Sequence, residues 1–322
     1  MSILNYNRRI KNHIKKAENV FLVGHKDLDL DAIGSCLGMY QYVRTCNTNV
    51  YIVIDDKKPE LGVKRILEKI GDSYNIISSK EATKKIEKRS LLIILDTNKE
   101  MLLQNPKLLK QFRDVIVIDH HGINESTIGK GIIIIDFETS STCEMITEFL
   151  SYNKISFSSE TATSLLSGIV LDTNNYVLKT TSDTFKISHF LCEKGADMNK
   201  VQYLLKQDLK DYIARQKVIT DVKLIKDIAI TKGSQKQKYR REDLAKIADT
   251  LFQFSGIEAS FVVGKIEKDK IGISARSVGN IDVGKVLEIL GGGGNSHEAA
   301  TKITGMTLKE VYEELKRLIK ML

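Results

Sequence analysis

The stretch Gly24-His25-Lys-Asp-Leu-Asp29-Leu-Asp31-Ala-Ile-Gly34 brings His25, Asp29 and Asp31 into one short segment, directly behind the apolar run Val20 to Val23. A chain that leaves a strand, turns and enters a helix can make these three side chains converge. Asp31 would then sit near the helix N-terminus, where a carboxylate is favoured. Taken alone, such a segment is more often a cap with solvated charges than a metal site. A second unusual element is Asp119-His120-His121, two adjacent imidazoles behind Val115 to Ile118. Packing gives no reason for the pair. Asp96 ends the run Leu91 to Leu95, and Asp172 ends the run Gly168 to Leu171. Either aspartate alone would be a turn or cap residue, but together the four clusters collect six oxygen and nitrogen donors.

Carboxylates and imidazoles without thiolates suit Mn2+, Mg2+ or similar ions better than structural Zn2+. Six ligands are too many for one catalytic ion with open positions. Two ions roughly 3.5–4 Å apart, sharing a carboxylate, would use them all and would activate water for attack on phosphorus. Local spacing suggests no Ser–His–Asp or Cys–His triad, so a protein nucleophile is not expected.

Further along, Gly291-Gly292-Gly293-Gly294 precedes Asn295-Ser-His297-Glu-Ala-Ala. Four glycines permit close backbone approach, and their N–H groups followed by a helix N-terminus would cradle a phosphate. A flexible turn is the plainer explanation. Ser274 and Arg276 lie in Ile-Ser-Ala-Arg-Ser, where Arg276 could grip a phosphate with two donors or form a surface ion pair.

These residues need a scaffold. Continuous β-branched and Leu runs that stop at polar residues read as strands buried on both faces, and the segments between them (Ala32 to Arg44, Lys64 to Ile70, Cys143 to Leu150) have helical spacing. Alternating strands and helices imply an α/β architecture with a mostly parallel sheet, in which ligands bind outside the carboxyl ends of the strands. All four polar clusters are expected at that edge. Residues 1–200 form this catalytic domain. Val201 to Ile225 reads as one long helical linker, and residues 226–322 form a smaller α/β domain with a mixed sheet. There, Ile228 to Thr231, Ala259 to Val263 and Ile271 to Ala275 read as strands. Asp243 to Phe254, Val283 to Leu290 and Thr307 to Leu322 read as helices, the last with Leu308, Val311, Leu315, Leu318 and Ile319 on one side. Lys232 to Arg241 is charged, apolar-poor and loop-like.

The 322 residues fit two domains, and 42% hydrophobic content is enough for a core in each. The net charge of +8 suits a protein that handles anions, but it is spread over many lysines. No basic face interleaved with aromatics is evident, so a stable nucleic-acid complex is not expected. Cys36, Cys46, Cys143 and Cys192 include no C-x-x-C pair, which favours reduced thiols in a cytoplasmic setting. With no signal peptide and no apolar run near the ~20 residues of a membrane helix, the chain as given reads as soluble. It could still be the catalytic portion of a membrane-tethered protein.

Together these residues resemble the DHH phosphoesterase family with its DHH-associated C-terminal domain, over nearly the whole chain. Gly24 to Gly34 is similar to the family's first motif and Asp96-Thr-Asn to its second. Asp119-His120-His121 is similar to the name-giving third, and Gly168-Ile-Val-Leu-Asp172-Thr to the fourth. The subgroup resembled most is that of the GdpP-type cyclic-di-AMP phosphodiesterases. Asp172-Thr-Asn-Asn-Tyr, Lys179 to Phe185, Lys194 to Asp197, Gly256 to Phe261 and Ile273 to Ser277 carry that likeness. In that subgroup the unit follows membrane helices and a sensory region, of which this sequence has none.

The resemblance implies that His25 and Asp29 bind one ion, that Asp31, His120 and Asp172 bind another, and that Asp96 bridges. His121 would contact substrate phosphate, with Asp119 behind His120 orienting it. Two divalent ions are implied, Mn2+ preferred, with Mg2+ or Co2+ as substitutes. The implied reaction converts cyclic-di-AMP to linear pApA. The partner would be a cyclic dinucleotide, with room left for a homodimer. One departure stands out. The family pattern places His directly after the glycines, whereas here Asn295 stands there and His297 follows two residues later. That contact is lost, moved or taken over by the Asn amide, which bears on substrate affinity more than on metal binding. The main alternative is a hydrolase of linear dinucleotides or short oligoribonucleotides. A pyrophosphatase and a non-enzymatic nucleotide sensor fit less well, since no ligand is missing and the glycine-rich domain points to a nucleotide ester.

Overall fold

The structure, a computed structural model, describes residues 2–47, 49–55, 59–123 and 125–322. The chain divides into two compact units, the first ending at Lys206 and the second beginning at Gln207.

In the first unit, α1 (Asn7–Lys16) precedes β1 (Val20–Val23), α2 (Leu30–Cys46), β2 (Val50–Val53), α3 (Leu61–Ile70) and β3 (Ile76–Ile77). Then come α4 (Ser79–Lys85), β4 (Leu91–Leu95), α5 (Pro106–Leu109), β5 (Asp114–Asp119) and β6 (Ile132–Ile135). Helices α6 (Thr142–Tyr152), α7 (Ser159–Asp172), α8 (Ser182–Glu193) and α9 (Met198–Leu204) follow. The six strands form one sheet in the order β3-β2-β1-β4-β5-β6, and every pairing is parallel. Both faces are covered. Val20, Leu22, Ile93 and Leu95 face a core shared with α2, α6 and α7, while Phe21, Val23, Leu92 and Ile94 face one shared with α4 and α5. Two-sided burial explains why the strands are apolar at every position rather than at alternate ones.

The second unit holds α10 (Leu209–Thr220), β7 (Lys223–Ile225), β8 (Ile228–Lys232), α11 (Arg241–Phe252), β9 (Ala259–Glu267) and β10 (Lys270–Ser277). After these come α12 (Val283–Glu288), β11 (Gly293–Gly294), β12 (Glu298–Thr304) and α13 (Leu308–Ile319). Its sheet runs β11-β12-β10-β9-β8-β7, antiparallel except for β8 and β9. No helix among the described residues is long and apolar enough to cross a membrane.

Three local expectations are corrected. Gly168 to Leu171 is not a strand but the last turn of α7, so Asp172 arrives at a helix end. Thr161 to Val170 are all buried. A helix buried all round shows no 3.6 period, and a short apolar run then cannot be told from a buried strand. Val201 to Ile225 is not one helix. It breaks after Leu204, and Asp208 starts α10 by accepting from the Lys210 and Asp211 N–H groups; its last residues are strand β7. The glycine run is followed by strand β12 rather than by a helix N-terminus.

Candidate metal centre

Strand order reverses between β1 and β4, the place where a parallel sheet opens a crevice at its carboxyl edge. His25 leaves β1 there, Asp96 leaves β4, and Asp119, His120 and His121 leave β5. Asp96 turns the chain with φ 62°, a left-handed conformation that Asp tolerates better than most residues. Asp29 caps α2, accepting from the Asp31 and Ala32 N–H groups at 3.0 and 2.9 Å. Asp31, wholly buried in the first turn, accepts N–H bonds from Thr142 and Cys143 at the N-terminus of α6, both at 2.8 Å. A helix N-terminus thus holds this carboxylate as an anion site. Asp172 comes in from α7. The approach of α7 to α2 requires Gly168, since a Cβ there would lie 2.8 Å from Asp31 Cα and 2.5 Å from Cys143 Sγ.

The side chains meet in three overlapping groups among the described residues, one of them Asp96, Asp119, His120 and His121. His25, Asp29 and Asp96 offer ligand atoms within 4.8 Å of one another, and so do Asp31, His120 and Asp172. His25 Nε2 lies 3.5 Å from Asp29 Oδ2 and 3.4 Å from Asp96 Oδ2. His120 Nε2 lies 3.1 Å from Asp172 Oδ2, 3.5 Å from Asp96 Oδ1 and 3.9 Å from Asp31 Oδ2. The two oxygens of Asp96 therefore face different groups.

The electrostatics are those of crowded buried carboxylates. Burial and the neighbouring Asp172 charge push Asp31 up to about 6. Burial and the Asp29 charge push Asp172 up to about 7. Burial, with Asp31 close by, holds Asp96 well above the carboxylate range. Burial opposes charge on His25, yet Asp29 and Asp96 keep its pKa well above the imidazole value. Burial also opposes charge on Asp29, but the His25 charge prevails and holds its pKa at about 2. Burial and the adjacent His121 lower His120 to about 4. The pocket retains protons because its negative charge lacks compensation, and a divalent cation supplies the same compensation.

The side chains also fit a metal in detail. His25 Nδ1 donates to the Lys26 carbonyl at 2.6 Å, which turns the Nε2 lone pair toward Asp29 and Asp96. Ligating histidines are commonly oriented in this way. His120 is buried, and despite its 3.1 Å approach to Asp172 neither ring nitrogen makes a well-aligned hydrogen bond among the described residues. A buried imidazole left so is costly unless something else engages it. The nearby thiols do not compete, because burial holds Cys36 and Cys143 protonated.

Residues 19–169 match the DHH family, N-terminal domain, and residues 222–322 match the DHHA1 domain. The chain belongs to the DHH family. It is 36% identical over 315 residues to the cyclic-di-AMP phosphodiesterase PdeA of Listeria monocytogenes, covering 94% of this chain and 47% of that protein. It is 34% identical over 320 residues to the cyclic-di-AMP phosphodiesterase GdpP of Bacillus subtilis, covering 96% of this chain and 49% of that one. The chain spans about half the length of these curated relatives. A solved exopolyphosphatase-related protein from Bacteroides fragilis shares the fold, with a TM-score of 0.81 at 20% identity over 98% of this chain and 97% of that one.

Within the DHH motif itself, Asp119 does not grip the His120 ring. Its Oδ1 accepts from His121 Nδ1 at 2.8 Å and from the His120 N–H at 2.9 Å. Asp119 thus orients His121, whose side chain is 54% exposed. Contacts invisible as motifs brace this DHH site. Thr142 Oγ1 donates to Asp96 Oδ1 at 3.1 Å, and buried Asn98 holds the His121 carbonyl at 3.2 Å. The available signal was Ser141 before a helical run, a helix-start residue whose side chain accepts from Glu144 N–H.

In the DHHA1 domain the selected residues are largely committed within the fold. Arg276 donates from Nε to Asp249 at 2.6 Å and from Nη1 to the Ala275 carbonyl at 3.0 Å, leaving its remaining Nη donors. Ser274 is buried two residues earlier on the same strand. The Gly291 and Gly292 N–H groups close the end of α12 on the carbonyls of Glu288 and Leu287. Gly293 and Gly294 form edge strand β11, where a Cβ on Gly292 would lie 2.4 Å from Thr301 Cβ and one on Gly294 would lie 2.2 Å from the Glu298 carbonyl oxygen. Asn295 Oδ1 accepts the N–H groups of His297 and Glu298, both at 2.8 Å, so it shapes the turn. His297 is exposed, with Nδ1 3.0 Å from Ser296 Oγ.

Proposed function

We propose that this chain is a metal-dependent phosphodiesterase that hydrolyses cyclic-di-AMP to linear pApA with two divalent ions, Mn2+ preferred and Mg2+ or Co2+ as substitutes. The observation that carries the reading is Asp96, a buried carboxylate with one oxygen 3.4 Å from His25 and the other 3.5 Å from His120. That is the placement a bridging ligand needs. In this reading His25, Asp29 and Asp96 hold one ion, and Asp31, His120, Asp172 and Asp96 hold the other. When bound, such a pair acidifies water and stabilises charge on a phosphoryl group in in-line displacement.

The chain's own groups do the rest. Asp119 fixes the Nδ1 side of His121 and raises its pKa against burial, which leaves Nε2 to donate to a phosphate oxygen. The α6 N-terminus keeps Asp31 in place through the Thr142 and Cys143 N–H groups. In the DHHA1 domain, Arg276 and Ser274 are proposed to bind substrate, Arg276 through the Nη donors that Asp249 leaves open. Gly291, Gly292, Gly293, Gly294 and Asn295 are proposed to support substrate binding through backbone shape, and His297 through its ring.

The test follows cyclic-di-AMP, pApA and short oligoribonucleotides by chromatography with Mn2+, Mg2+, Co2+ or chelator. The expected result is fastest conversion of cyclic-di-AMP to pApA with Mn2+, abolished by chelator. Faster cleavage of the linear substrates would favour the oligoribonuclease alternative. Undiminished cleavage in chelator would overturn the two-ion reading.

A further inference from the structure

A threonine inside a helix commonly spends its hydroxyl on its own backbone. Thr83, Thr147, Thr163 and Thr173 do so here, each donating from Oγ1 to the carbonyl four residues earlier at 2.7 to 2.9 Å. Thr142 is the first residue of α6, so no carbonyl of that helix lies four residues before it. Nor does the cap fall to Thr142, because Ser141 accepts from the Glu144 N–H. Its hydroxyl is therefore free to act elsewhere. Thr142 is wholly buried and donates to Asp96 Oδ1 at 3.1 Å, a contact between residues far apart in sequence.

Asp96 needs such a contact. Strand β4 ends at Leu95, and Asp96 turns the chain away with φ 62°. Its N–H bonds the Ile118 carbonyl at 3.0 Å, which fixes the backbone. The plane of the carboxylate is a separate matter, because rotation about the Cβ–Cγ bond is soft. His25 stands 3.4 Å from Oδ2 and His120 stands 3.5 Å from Oδ1, both longer than a strong charge-assisted hydrogen bond. Thr142 Oγ1 is nearer than either ring, and the oxygen it reaches is the one that faces His120. The N–H of the same residue holds Asp31 Oδ2 at 2.8 Å. Thr142 thus bonds one carboxylate of the Asp31, His120 and Asp172 group and the Asp96 oxygen turned toward that group.

We propose that Thr142 is a positioning residue that divides the two oxygens of Asp96, holding Oδ1 toward Asp31, His120 and Asp172 and so selectively supporting the ion bound by that group. A hydroxyl donor occupies one lone pair of Oδ1 and leaves another for a cation. Without the donor, the carboxylate is free to turn both oxygens toward His25 and Asp29. The inference rests on the two-ion reading above and adds to it a residue that sets how the shared carboxylate is divided.

The experiment titrates metal-free wild type, Thr142→Val and Thr142→Ser with Mn2+ by calorimetry. It also follows thermal unfolding of the metal-free proteins and cyclic-di-AMP turnover against Mn2+ concentration. Valine has the shape of threonine and keeps the backbone N–H bonds to Asp31, so it removes the hydroxyl alone. Wild type should take up two equivalents. Thr142→Val should take up the first with near wild-type affinity and the second about 10- to 100-fold more weakly, the loss usual when a group that orients a ligand is removed. Its turnover should need correspondingly more Mn2+, and Thr142→Ser should recover most of both losses. Two equivalents at wild-type affinity in Thr142→Val would overturn the proposal. Equal weakening of both equivalents would do the same. So would a lower melting temperature of the metal-free variant that Thr142→Ser leaves unrestored, since Thr142 would then act on the fold. A wild type that takes up fewer than two equivalents would overturn the two-ion reading and this inference with it. A wild type that takes up two yet leaves cyclic-di-AMP intact would overturn the substrate assignment alone, and the titration of Thr142→Val would still decide the role of the hydroxyl.

Discussion

Asp31 and Arg276 are charged residues of the two units, both largely shielded from water, and they are held in different ways. Asp31 accepts two backbone N–H bonds, yet it stands among Asp29, Asp96 and Asp172 with too little positive charge to balance them. Arg276 has its counter-ion, Asp249, at 2.6 Å. The same contrast runs through the neighbours. His120 is buried with neither ring nitrogen in a well-aligned hydrogen bond among the described residues, whereas Asn295 spends its carbonyl oxygen on the adjacent turn and Gly292 and Gly294 spend their missing side chains on strand packing. Polar groups that the chain satisfies by itself are explained by folding. Buried ones that it leaves unsatisfied call for something from outside, and among the described residues Asp119 Oδ2 and both His120 ring nitrogens are such atoms in the crevice at the first sheet.

The largest expected effect tests that contrast directly. His120→Ala or Asp96→Asn should lower kcat by about a thousandfold or more while the melting temperature stays within a few degrees. Activity within a factor of a few of wild type would break the shared-ligand arrangement. Next come matched overpacking substitutions in the two units. Gly168→Ala should destabilise by about 1–3 kcal/mol and also weaken Mn2+ binding, because the added carbon presses on Asp31. Gly292→Ala should destabilise comparably through Thr301 and leave Mn2+ binding unchanged in calorimetry. Equal effects on Mn2+ would erase the distinction.

A third test uses pH. Asp172 has a folded pKa near 7, raised above its unfolded value, so the folded state holds the extra proton between those two values. Its ionisation therefore costs stability as pH rises through that window, and the full penalty is present above 7. In metal-free protein, Asp172→Asn should raise the melting temperature by several degrees at pH 8 and little at pH 4. A gain independent of pH would contradict the buried-charge account. The smallest effect is expected in the second unit. Arg276→Ala should raise KM about tenfold with kcat and Mn2+ affinity nearly unchanged, since it removes a charged hydrogen bond to substrate. An unchanged KM would make Arg276 solely the partner of Asp249.

Much of this was legible in the residues. Apolar runs ending at His25, Asp96 and Asp119 mark strands that stop at a sheet edge, and period 2 is absent because both faces are buried. Asp172 was legible as chemistry but not as structure, because a helix buried on every side has the composition of a buried strand. The break at Leu205 to Gln207 was hidden for a different reason. No glycine or proline marks it, and only the Asp208 side chain, by bonding Lys210 and Asp211 N–H groups, begins a new helix. In the second unit the glycine run was read as a phosphate cradle ahead of a helix, and its pairing as edge strand β11 against β12 could not be read locally.

The sequence by itself determined which side chains can bind a hard or borderline cation and that they follow separate apolar segments, because side-chain chemistry and hydrophobic pattern are local properties. Tertiary structure decided which of them meet. The reversal of strand order between β1 and β4, the close approach of α7 through Gly168, and the bonding of Asp31 by the N-terminus of α6 are contacts between segments distant in sequence. Charge crowding, and with it the fit to an external cation, arises only once those segments share one low-dielectric space.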